Sequence, residues 1–349
     1  MARVAVLVSG GVDSSVALKL LQQEGHELTA FYLKIWLEDE MAFLGSCPWE
    51  DDLRYVRDVC SKAGVPLEIE SLQQEYYARV VDWTINELRK GRTPSPDILC
   101  NERVKFGAFL ERIGDRFDQV ATGHYAQKKI TETGHLLLRG VDPVKDQTYF
   151  LCHLSQAQVR RCLFPIGRFP KREIRALAKQ WSLANADRPD SQGICFLGRI
   201  PYPDFVEFHL GEQRGDIIDR HTGKVLGEHR GFWFHTIGQR KGLGLSGGPW
   251  YVVGKEVDNN RVFVEHRDHL TNAKRTSFRV SPPNWIFAAP TKRDLQVRIR
   301  HGEKICDCRV EYNDNNVDVE LAQADAGIAS GQFAALYDGE VCLGGGPIE

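Results

Sequence analysis

The sequence lacks the features that mark several classes of protein. No apolar run among its 349 residues approaches the roughly 18 residues of a membrane span, so we expect no membrane-spanning helix and no membrane partner. The first strand is expected to begin near Arg3, which leaves no room for a signal or transit peptide, and we therefore expect a cytoplasmic protein. There is also no internal repeat and no low-complexity tract, which excludes repeat architectures.

Cysteine and charge are informative in the same way. The nine cysteines are an odd number without the spacing of a small disulfide-bonded scaffold, so most are expected to be buried thiols. Cys306-Asp307-Cys308 has no second Cys/His pair at zinc-finger spacing, and we predict a strand there, with no metal site. A net charge of −2 excludes a polycation, so any nucleic-acid partner must bind local basic patches.

The chain divides into two regions by its pattern of apolar residues. Up to about residue 210, strand patterns such as Val4–Val8 and Gln119–Thr122 alternate with helical patterns such as Asp51–Ala63. This alternation predicts an α/β domain with a doubly wound, mostly parallel sheet over residues 1–211. Short alternating strands with dense turn signals then predict two small β-rich domains, over residues 212–275 and 276–349, the last a β-barrel.

The string SGGVDSS follows the first predicted strand directly and precedes a helical pattern. Exposed backbone N–H groups and the positive end of a helix would point at one spot there, which is typical of a phosphate site. It is neither a Walker loop nor the dinucleotide fingerprint. The simpler interpretation is a tight turn in which Asp13 or Ser14 caps the helix.

Two loop cysteines lie further along the chain. Cys100 ends the stretch GRTPSPDILC, whose two prolines stiffen the loop and which places Asp97 three residues before the thiol. Cys195 lies in DSQGICF, a glycine-containing turn. A lone cysteine is usually a small buried hydrophobe. Two of them in loops behind a phosphate site favour thiolate chemistry, in which one sulfur is carried and another attacks.

These motifs together resemble a known family. SGGxDS resembles the pyrophosphate loop of the ATP-pyrophosphatase superfamily, and the whole chain resembles the tRNA-specific 2-thiouridylases of the MnmA/TrmU type. The resemblance runs from end to end through motifs in the same order: SGGVDSS, GRTPSPDILCN, ATGHYA, KDQTYFL, DSQGICF, TIGQRKGL and GEVCLGGG. It implies an adenine-nucleotide alpha-hydrolase-like fold for the first domain.

The resemblance also implies a reaction. ATP, with Mg²⁺, would adenylate the 2-oxygen of the wobble uridine (position 34) of tRNA for Lys, Glu and Gln, releasing pyrophosphate. A cysteine persulfide would then replace that oxygen with sulfur, making the protein a tRNA-uridine 2-sulfurtransferase supplied by a cysteine desulfurase or a sulfur-relay protein. Cys100 matches the nucleophile, Cys195 the persulfide carrier and Asp97 the acid/base residue, and the two cysteines are implied to form a disulfide during the cycle.

The remaining site residues are carried over from the same motifs. The residues implied to bind ATP are Leu7, Val8, Ser9, Gly10, Gly11, Val12, Asp13, Ser14, Leu33 and Gly123. The residues implied to bind tRNA are Ser95, Pro96, Asp97, His124, Lys145, Asp146, Gln147, Arg300, His301 and Gln332. Three of these positions depart from the family pattern, because Leu33, Ser95 and His301 stand where methionine, asparagine and an aromatic residue are common.

Two basic runs support an RNA partner. Residues 160–179 hold seven basic residues against one acidic residue, and residues 274–304 hold eight against two. We expect phosphate contacts from both runs, including Arg298 and Arg300. We also expect Asp13 to neutralise no charge of the protein itself. The alternative function is an ATP-dependent amide-forming ligase that acts on a small molecule and in which both cysteines are structural.

Overall fold

A twisted parallel sheet forms the centre of the first half of the chain. The computed structural model describes residues 1–35, 49–190 and 201–349. The five strands lie in the order β3-β2-β1-β4-β7, and all four pairs are parallel. Their bounds are β1 Arg3–Leu7, β2 Glu27–Lys34, β3 Leu67–Ser71, β4 Gln119–Ala121 and β7 Cys162–Leu163. The chain builds the sheet outward in one direction to β3 and then in the other from β4, so the switch point lies between β1 and β4.

Helices cover both faces of this sheet, which confirms the doubly wound prediction. Alternate residues of β1 enter different cores: Ala5 and Leu7 pack with the helices of residues 73–113, whereas Val4 and Val6 pack with α1 and α2. The α-helices are α1 Val12–Gln23, α2 Trp49–Ala63, α3 Gln73–Tyr76, α4 Asp82–Arg89, α5 Pro96–Leu99, α6 Phe109–Ile113, α7 Gln156–Arg161, α8 Lys171–Gln180 and α9 Tyr202–Leu210.

Two stretches between these helices are π-helical. Tyr77–Val81 joins α3 to α4, and Cys100–Ala108 joins α5 to α6, so residues 96–113 form one continuous helical segment. The sequence pattern predicted a loop at the start of this stretch, because of Pro94 and Pro96. Pro96 instead occupies the first turn of α5, where its missing N–H breaks no hydrogen bond.

Two further sheets follow. The first has four strands in the order β10-β11-β8-β9, and the second contains most of the C-terminal strands. The bounds in the first are β8 Gly215–Asp219, β9 Val225–His229, β10 Trp250–Glu256 and β11 Arg261–His266. Those in the second are β12 Arg275–Val280, β13 Asn284–Trp285, β14 Asp294–Arg298, β15 Cys306–Asn313, β16 Asn316–Asp325, β17 Phe333–Asp338 and β18 Val341–Pro347.

The C-terminal sheet also takes a hairpin from the first half of the chain. β5 (Ala126–Thr131) pairs with β6 (Gly134–Arg139), and β6 pairs with β18. This hairpin follows β4 of the parallel sheet directly, so it joins the switch point to the C-terminal sheet. The sequence pattern did not predict this pairing between residues about 200 positions apart.

The described residues test two further predictions, the burial of most cysteines and the absence of a membrane-spanning helix. Cys60, Cys152, Cys162 and Cys342 are buried, as predicted, and Cys306 and Cys308 lie on β15. Within residues 1–35, 49–190 and 201–349, no helix is both long enough and apolar enough to cross a membrane.

Candidate active site at the switch point of the sheet

The predicted phosphate loop lies at the carboxyl end of β1, where open α/β sheets bind ligands. Helix α1 begins at Val12 after Gly11, and no side chain caps it. The interpretation that Asp13 or Ser14 caps the helix is therefore wrong. The first backbone N–H groups of α1 remain available to an anion, and the positive end of the helix dipole adds to the attraction.

Hydroxyl groups fix the shape of this loop. The Ser9 amide donates to Ser14 Oγ at 3.2 Å, and the two serine hydroxyls lie 3.3 Å apart. Ser14 Oγ and Ser15 Oγ donate to the Gly11 carbonyl at 3.2 and 3.0 Å. The three serines of the motif therefore order the turn, and their small side chains leave room above the helix start.

A second segment supports the loop from behind. Asn185 Nδ2 donates to the Gly10 carbonyl and to Ser15 Oγ, each at 2.9 Å, and Arg188 Nη1 donates to the same carbonyl at 3.1 Å. Gly10 has a φ of 75°, and a Cβ there would lie 2.7 Å from the Asp52 carbonyl oxygen. Only glycine fits at position 10.

Asp13 is paired with the protein's own groups, contrary to our expectation. Its carboxylate accepts from Lys171 Nζ at 2.7 and 2.9 Å and from the Tyr125 hydroxyl at 2.8 Å. Burial and the adjacent Asp13 raise the pKa of Tyr125, which keeps that hydroxyl protonated as the donor. The expectation was wrong because Lys171 lies 158 residues away in sequence and its approach depends on the fold.

Lys171 also belongs to a wider ion-pair network. Asp190 lies 2.7 Å from Lys171 Nζ, 2.8 Å from Lys145 Nζ and 2.6 Å from Arg175 Nη2. Burial alone would raise the pKa of Asp190, but the hydrogen bonds from Lys145 and Lys171 hold the pKa well below its ordinary value. Three cations therefore surround two carboxylates beside the phosphate loop.

The loop after β4 closes the other side of the switch point. A Cβ on Gly123 would lie 2.7 Å from the Ser14 amide nitrogen, so only glycine lets the start of α1 approach this closely. His124 Nδ1 lies 2.8 Å from Thr122 Oγ1, and the ring forms an aromatic cluster with Phe106 and Phe164, whose centroids are 6.4 and 6.3 Å away. Burial, reinforced by Lys105, lowers the pKa of His124 well below its ordinary value, so the ring is neutral at pH 7.

The predicted catalytic loop forms the helical segment that begins at Pro96. Asp97 and Cys100 are three residues apart in this segment and share one of its faces, and the Cys100 amide donates to the Asp97 carbonyl. Cys100 is only 1% exposed, whereas Asp97 is half-buried. Cys195 lies outside the described residues, so its position relative to Cys100 stays a prediction.

Residues beside this helical segment (residues 96–113, called the catalytic segment below) hydrogen-bond the C-terminal barrel. The Thr93 amide donates to the Ser330 carbonyl at 2.8 Å, and the Tyr149 hydroxyl donates to the Phe333 carbonyl at 3.1 Å. Ser95 hydrogen-bonds the same Tyr149 hydroxyl. Gln332, a predicted tRNA contact, lies between these two attachment points, and its buried Oε1 has no hydrogen-bond partner among the described residues.

Asp146 and Arg298 form a fully buried ion pair. Asp146 Oδ2 lies 2.8 Å from Arg298 Nη1 and 3.1 Å from Arg139 Nε, and Oδ1 accepts from the Thr148 hydroxyl at 2.9 Å. Both side chains are 0% exposed. The expectation that Arg298 contacts RNA phosphate is wrong, because its guanidinium lies in the interior beneath the ring of Tyr337.

Four other predicted site residues also have described neighbours. His301 is exposed and its ring packs against Phe150, with centroids 4.5 Å apart and planes tilted by 32°. Desolvation by its neighbours, with Arg298 nearby, lowers the pKa of His301 against the opposing effect of Asp146 and Asp97. Arg300 is exposed and paired with Asp325 at 2.9 Å. Gln147 Oε1 accepts from the Tyr125 amide at 2.9 Å, and Leu33 packs at the end of β2 beside the phosphate loop.

The two basic runs are largely neutralised by distant carboxylates. In the first run the ion-paired residues are Arg168, Lys171, Arg175 and Lys179. In the second they are Arg279, Lys292, Arg298, Arg300 and Lys304. Counting charge along the sequence therefore overestimated the charge available to RNA. Of the site's supporting residues, Lys171 and Arg175 lay in a predicted basic run and Tyr125 lay in the motif ATGHYA. No local pattern identified Asn185 or Arg188.

Comparisons with known proteins cover the whole chain. A family model described as the tRNA methyl transferase HUP domain matches residues 2–199. Models described as the tRNA methyl transferase PRC-barrel domain and the aminomethyltransferase beta-barrel domain match residues 203–266 and 275–348.

Two curated relatives are similar over their full length. The chain is 42% identical to the tRNA-specific 2-thiouridylase MnmA of Parabacteroides distasonis, over 99% of this chain and 98% of that protein. It is 43% identical to the protein of the same name from Porphyromonas gingivalis, with the same coverage of 99% and 98%. Among solved structures, the U34-tRNA thiolase NcsA from Methanococcus maripaludis is similar at 17% identity and a TM-score of 0.36, over 59% of this chain and 61% of that chain.

Proposed function

Because this chain belongs to the tRNA-specific 2-thiouridylase family, we propose that it is a tRNA sulfurtransferase that uses ATP to replace the 2-oxygen of a uridine with sulfur. The observation that carries the proposal is the uncapped helix start behind the Ser9–Ser14 loop, on a chain 42% identical to such an enzyme over 99% of its length. The uridine is proposed to be wobble position 34 of the tRNAs for Lys, Glu and Gln.

The first half-reaction is adenylation. The backbone N–H groups of the loop would bind the pyrophosphate part of ATP, with Lys171 adding positive charge beside them. The absence of a side chain at Gly123 lets the loop after β4 approach the helix start, and Leu33 would pack against the adenine. The residues proposed to bind ATP are Leu7, Val8, Ser9, Gly10, Gly11, Val12, Asp13, Ser14, Leu33 and Gly123.

The loop offers one carboxylate to a magnesium ion that accompanies ATP. Asp13 Oδ2 accepts only from Lys171 among the described residues, so it retains a lone pair for a cation. One protein carboxylate plus substrate phosphates is an ordinary way to hold Mg²⁺. The described residues fit the ion on this reading, and when bound it would neutralise charge on the phosphates.

The second half-reaction is sulfur transfer. A persulfide on Cys195 would attack the adenylated 2-carbon and expel AMP. The Cys100 thiolate, its proton taken by Asp97, would then attack the inner sulfur of Cys195, leaving the outer sulfur on the base and a Cys100–Cys195 disulfide. Since Cys100 is 1% exposed, the base must displace the groups that cover it. The persulfide would come from a cysteine desulfurase or a relay protein.

The tRNA contacts are proposed on both sides of the catalytic segment. Ser95, Pro96 and Asp97 would meet the target base, and the exposed His301, stacked on Phe150, would add a ring surface for a base. Asp146 is buried, so we propose that it positions Arg139 and the strand β14, and not that it contacts RNA. The remaining proposed contacts are His124, Lys145, Gln147, Arg300 and Gln332.

The direct test is a reconstituted reaction with ATP, Mg²⁺, unmodified tRNA and a persulfide donor. We expect tRNA-dependent release of AMP and pyrophosphate, and 2-thiouridine in the recovered nucleosides by mass spectrometry. Release of ADP and phosphate, or adenylation that ignores tRNA and responds to a small-molecule acceptor, would favour the amide-forming ligase.

The cysteine substitutions separate the two functions further. Cys100→Ser and Cys195→Ser should each abolish thiolation while tRNA and ATP still bind, and only Cys195 should carry a transferable labelled sulfur. Cys342→Ser is the control, because that thiol is buried in the barrel and has no proposed role. If both site variants thiolate tRNA normally, the cysteines are structural.

A further inference from the structure

A cavity of about 430 Å³ lies where three parts of the chain meet. The lining residues come from three places: Gly91 and Thr93 just before the catalytic segment, Arg220 and Lys255 from the four-stranded sheet, and Arg275 and Ser330 from the C-terminal barrel. Its volume falls within the roughly 300–1,000 Å³ of small-molecule sites. No residue of the Ser9–Ser14 loop lines it, so it is separate from the adenylation site.

The lining carries three cations and, among the described residues, no carboxylate. Lys255 Nζ is shielded from solvent and has no hydrogen-bond partner in the described part of the chain. Burial, with no carboxylate nearby to oppose it, lowers the pKa of Lys255 to about 8. A buried cation without a partner is costly, and native structures retain few such groups without a reason.

The two arginines differ from their neighbours in the same respect. Neither Arg220 nor Arg275 forms an ion pair with a described carboxylate, and Arg275 donates only to the Ile328 carbonyl, at 2.6 Å. On the same strand as Arg275, Arg279 is paired with Asp318 at 2.8 Å. Three cations without an ion-pair partner among the described residues therefore line a single cavity.

We propose that this cavity binds a phosphate group of the RNA backbone, next to the nucleotide that reacts. The inference rests on the proposed function. Thr93 lies four residues before Asp97, and its amide holds Ser330, two residues before Gln332, so the cavity adjoins the proposed base-binding surface. A nucleotide beside the target base would place its phosphate among Arg220, Lys255 and Arg275, whose charge the phosphate would neutralise.

Lys255→Met is the most informative variant, because it keeps the length of the side chain and removes the charge. Since the charge has no partner in the free protein, we expect the variant to melt at a higher temperature. Its affinity for tRNA should nevertheless fall about tenfold, the scale of a lost charge-assisted hydrogen bond. A lysine with a purely structural role would lose stability on substitution and leave affinity unchanged.

The experiment measures tRNA binding by fluorescence anisotropy at several salt concentrations. Lys255→Met, Arg220→Gln and Arg275→Gln should each weaken binding and flatten the log–log salt dependence by up to about 0.7–0.9, one phosphate contact. Arg279→Gln is the matched control and should bind like the wild type. ATP affinity, measured by calorimetry without tRNA, should be unchanged in all four variants, which shows that the nucleotide site is intact.

Three results would overturn the proposal or locate the fault elsewhere. Unchanged tRNA affinity and salt dependence in the Lys255→Met protein would overturn it. If inorganic phosphate at constant ionic strength raises the melting temperature of the wild type but not of Lys255→Met, while tRNA affinity is unchanged, the site takes a free phosphate and the RNA assignment is wrong. A wild-type protein that does not bind tRNA would instead refute the proposed function on which the inference rests.

Discussion

Lys171 is paired with the carboxylate of Asp13, beside the loop at which we propose that ATP binds. The ammonium group lies 2.7 Å from Asp13 and 2.7 Å from Asp190, so it is shared between two carboxylates before ATP binds. Such a cation need not be recruited when a pyrophosphate arrives, because it is already held beside the loop. The same arrangement means that a substitution at Asp13 has a structural consequence as well as a chemical one.

Asp13→Asn tests both consequences. Removing the charge should abolish the release of AMP and pyrophosphate, whereas Lys171 keeps Asp190 as a partner, so the fold should persist with a lower melting temperature. Pyrophosphate release and thermal melting measure the two effects. Glu24→Gln removes an exposed ion pair with Arg168 and should change neither property by much. Full adenylation activity in the Asn variant would exclude a role for this carboxylate.

His124 should make stability depend on pH. Its pKa is lowered in the folded protein, so below about pH 6.5 the unfolded chain binds a proton that the folded protein does not. Stability is therefore fully present above that pH and declines as the pH falls. Urea unfolding of the wild type and of His124→Gln should show a smaller loss for the variant between about pH 7 and about pH 5. His221→Gln, at an exposed position, is the control, and equal losses in all three proteins would show that His124 is protonated in the fold.

At the scale of elements, the unit β1–loop–α1 could be predicted from sequence, because the signal is local. An apolar run, two glycines and a helical pattern follow one another without interruption from Val4 to Gln23. Asp97 and Cys100 could likewise be placed close together, although the sequence predicted a loop where the structure has a helical segment. The π-helical turns could not be predicted, because the spacing of apolar residues over so short a stretch does not distinguish a π-helix from an α-helix. Packing in the folded protein decides between these two forms.

The contact between Gly123 and α1 provides a test of that unit. Gly123→Ala would place a Cβ 2.7 Å from the Ser14 amide nitrogen and 2.9 Å from the Asp13 carbonyl carbon. Both neighbours are backbone, so the helix start must move, at a cost of about 1–3 kcal/mol. We expect ATP affinity to fall sharply, measured by calorimetry. Gly254→Ala meets only contacts of 3.6 Å or more and should bind ATP normally. Normal affinity in the Gly123 variant would place the nucleotide elsewhere.

For the whole molecule, the unpredicted features are pairings over long distances in sequence. Asp146 and Arg298 are the clearest case, because each looked like an exposed RNA contact, yet together they form a buried pair. The pairing of β6 with β18 could not be predicted for the same reason, because nothing local to residues 134–139 indicates a partner near residue 341. Local patterns established the order of the parts and many of the site residues, whereas partners depend on how distant segments pack.

Those long-range contacts attach the catalytic segment to the C-terminal barrel, and at Gly331 the barrel lies against the residues that lead into that segment. A Cβ at Gly331 would lie 2.8 Å from Arg92 Cβ and 3.0 Å from the Thr93 amide nitrogen. The contact holds the start of the segment that leads to Asp97 and Cys100. Thiolation should therefore depend on a residue that touches neither ATP nor the reacting cysteines.

Gly331→Ala and Gly339→Ala separate this coupling from backbone strain. Both glycines have a positive φ, of 88° and 58°, so backbone strain alone should destabilise each alanine variant by a similar amount, about 1 kcal/mol. At Gly331 the new Cβ would collide with Arg92 and Thr93, which lead into the catalytic segment, whereas at Gly339 no atom of the described residues lies within 4 Å of it. We expect Gly331→Ala to lower kcat for thiolation and to weaken tRNA binding while ATP affinity is retained, and Gly339→Ala to thiolate like the wild type. Steady-state kinetics with tRNA and calorimetry with ATP provide the measurements. If the two variants lose thiolation equally, the effect is one of stability alone, and the barrel does not position the catalytic segment.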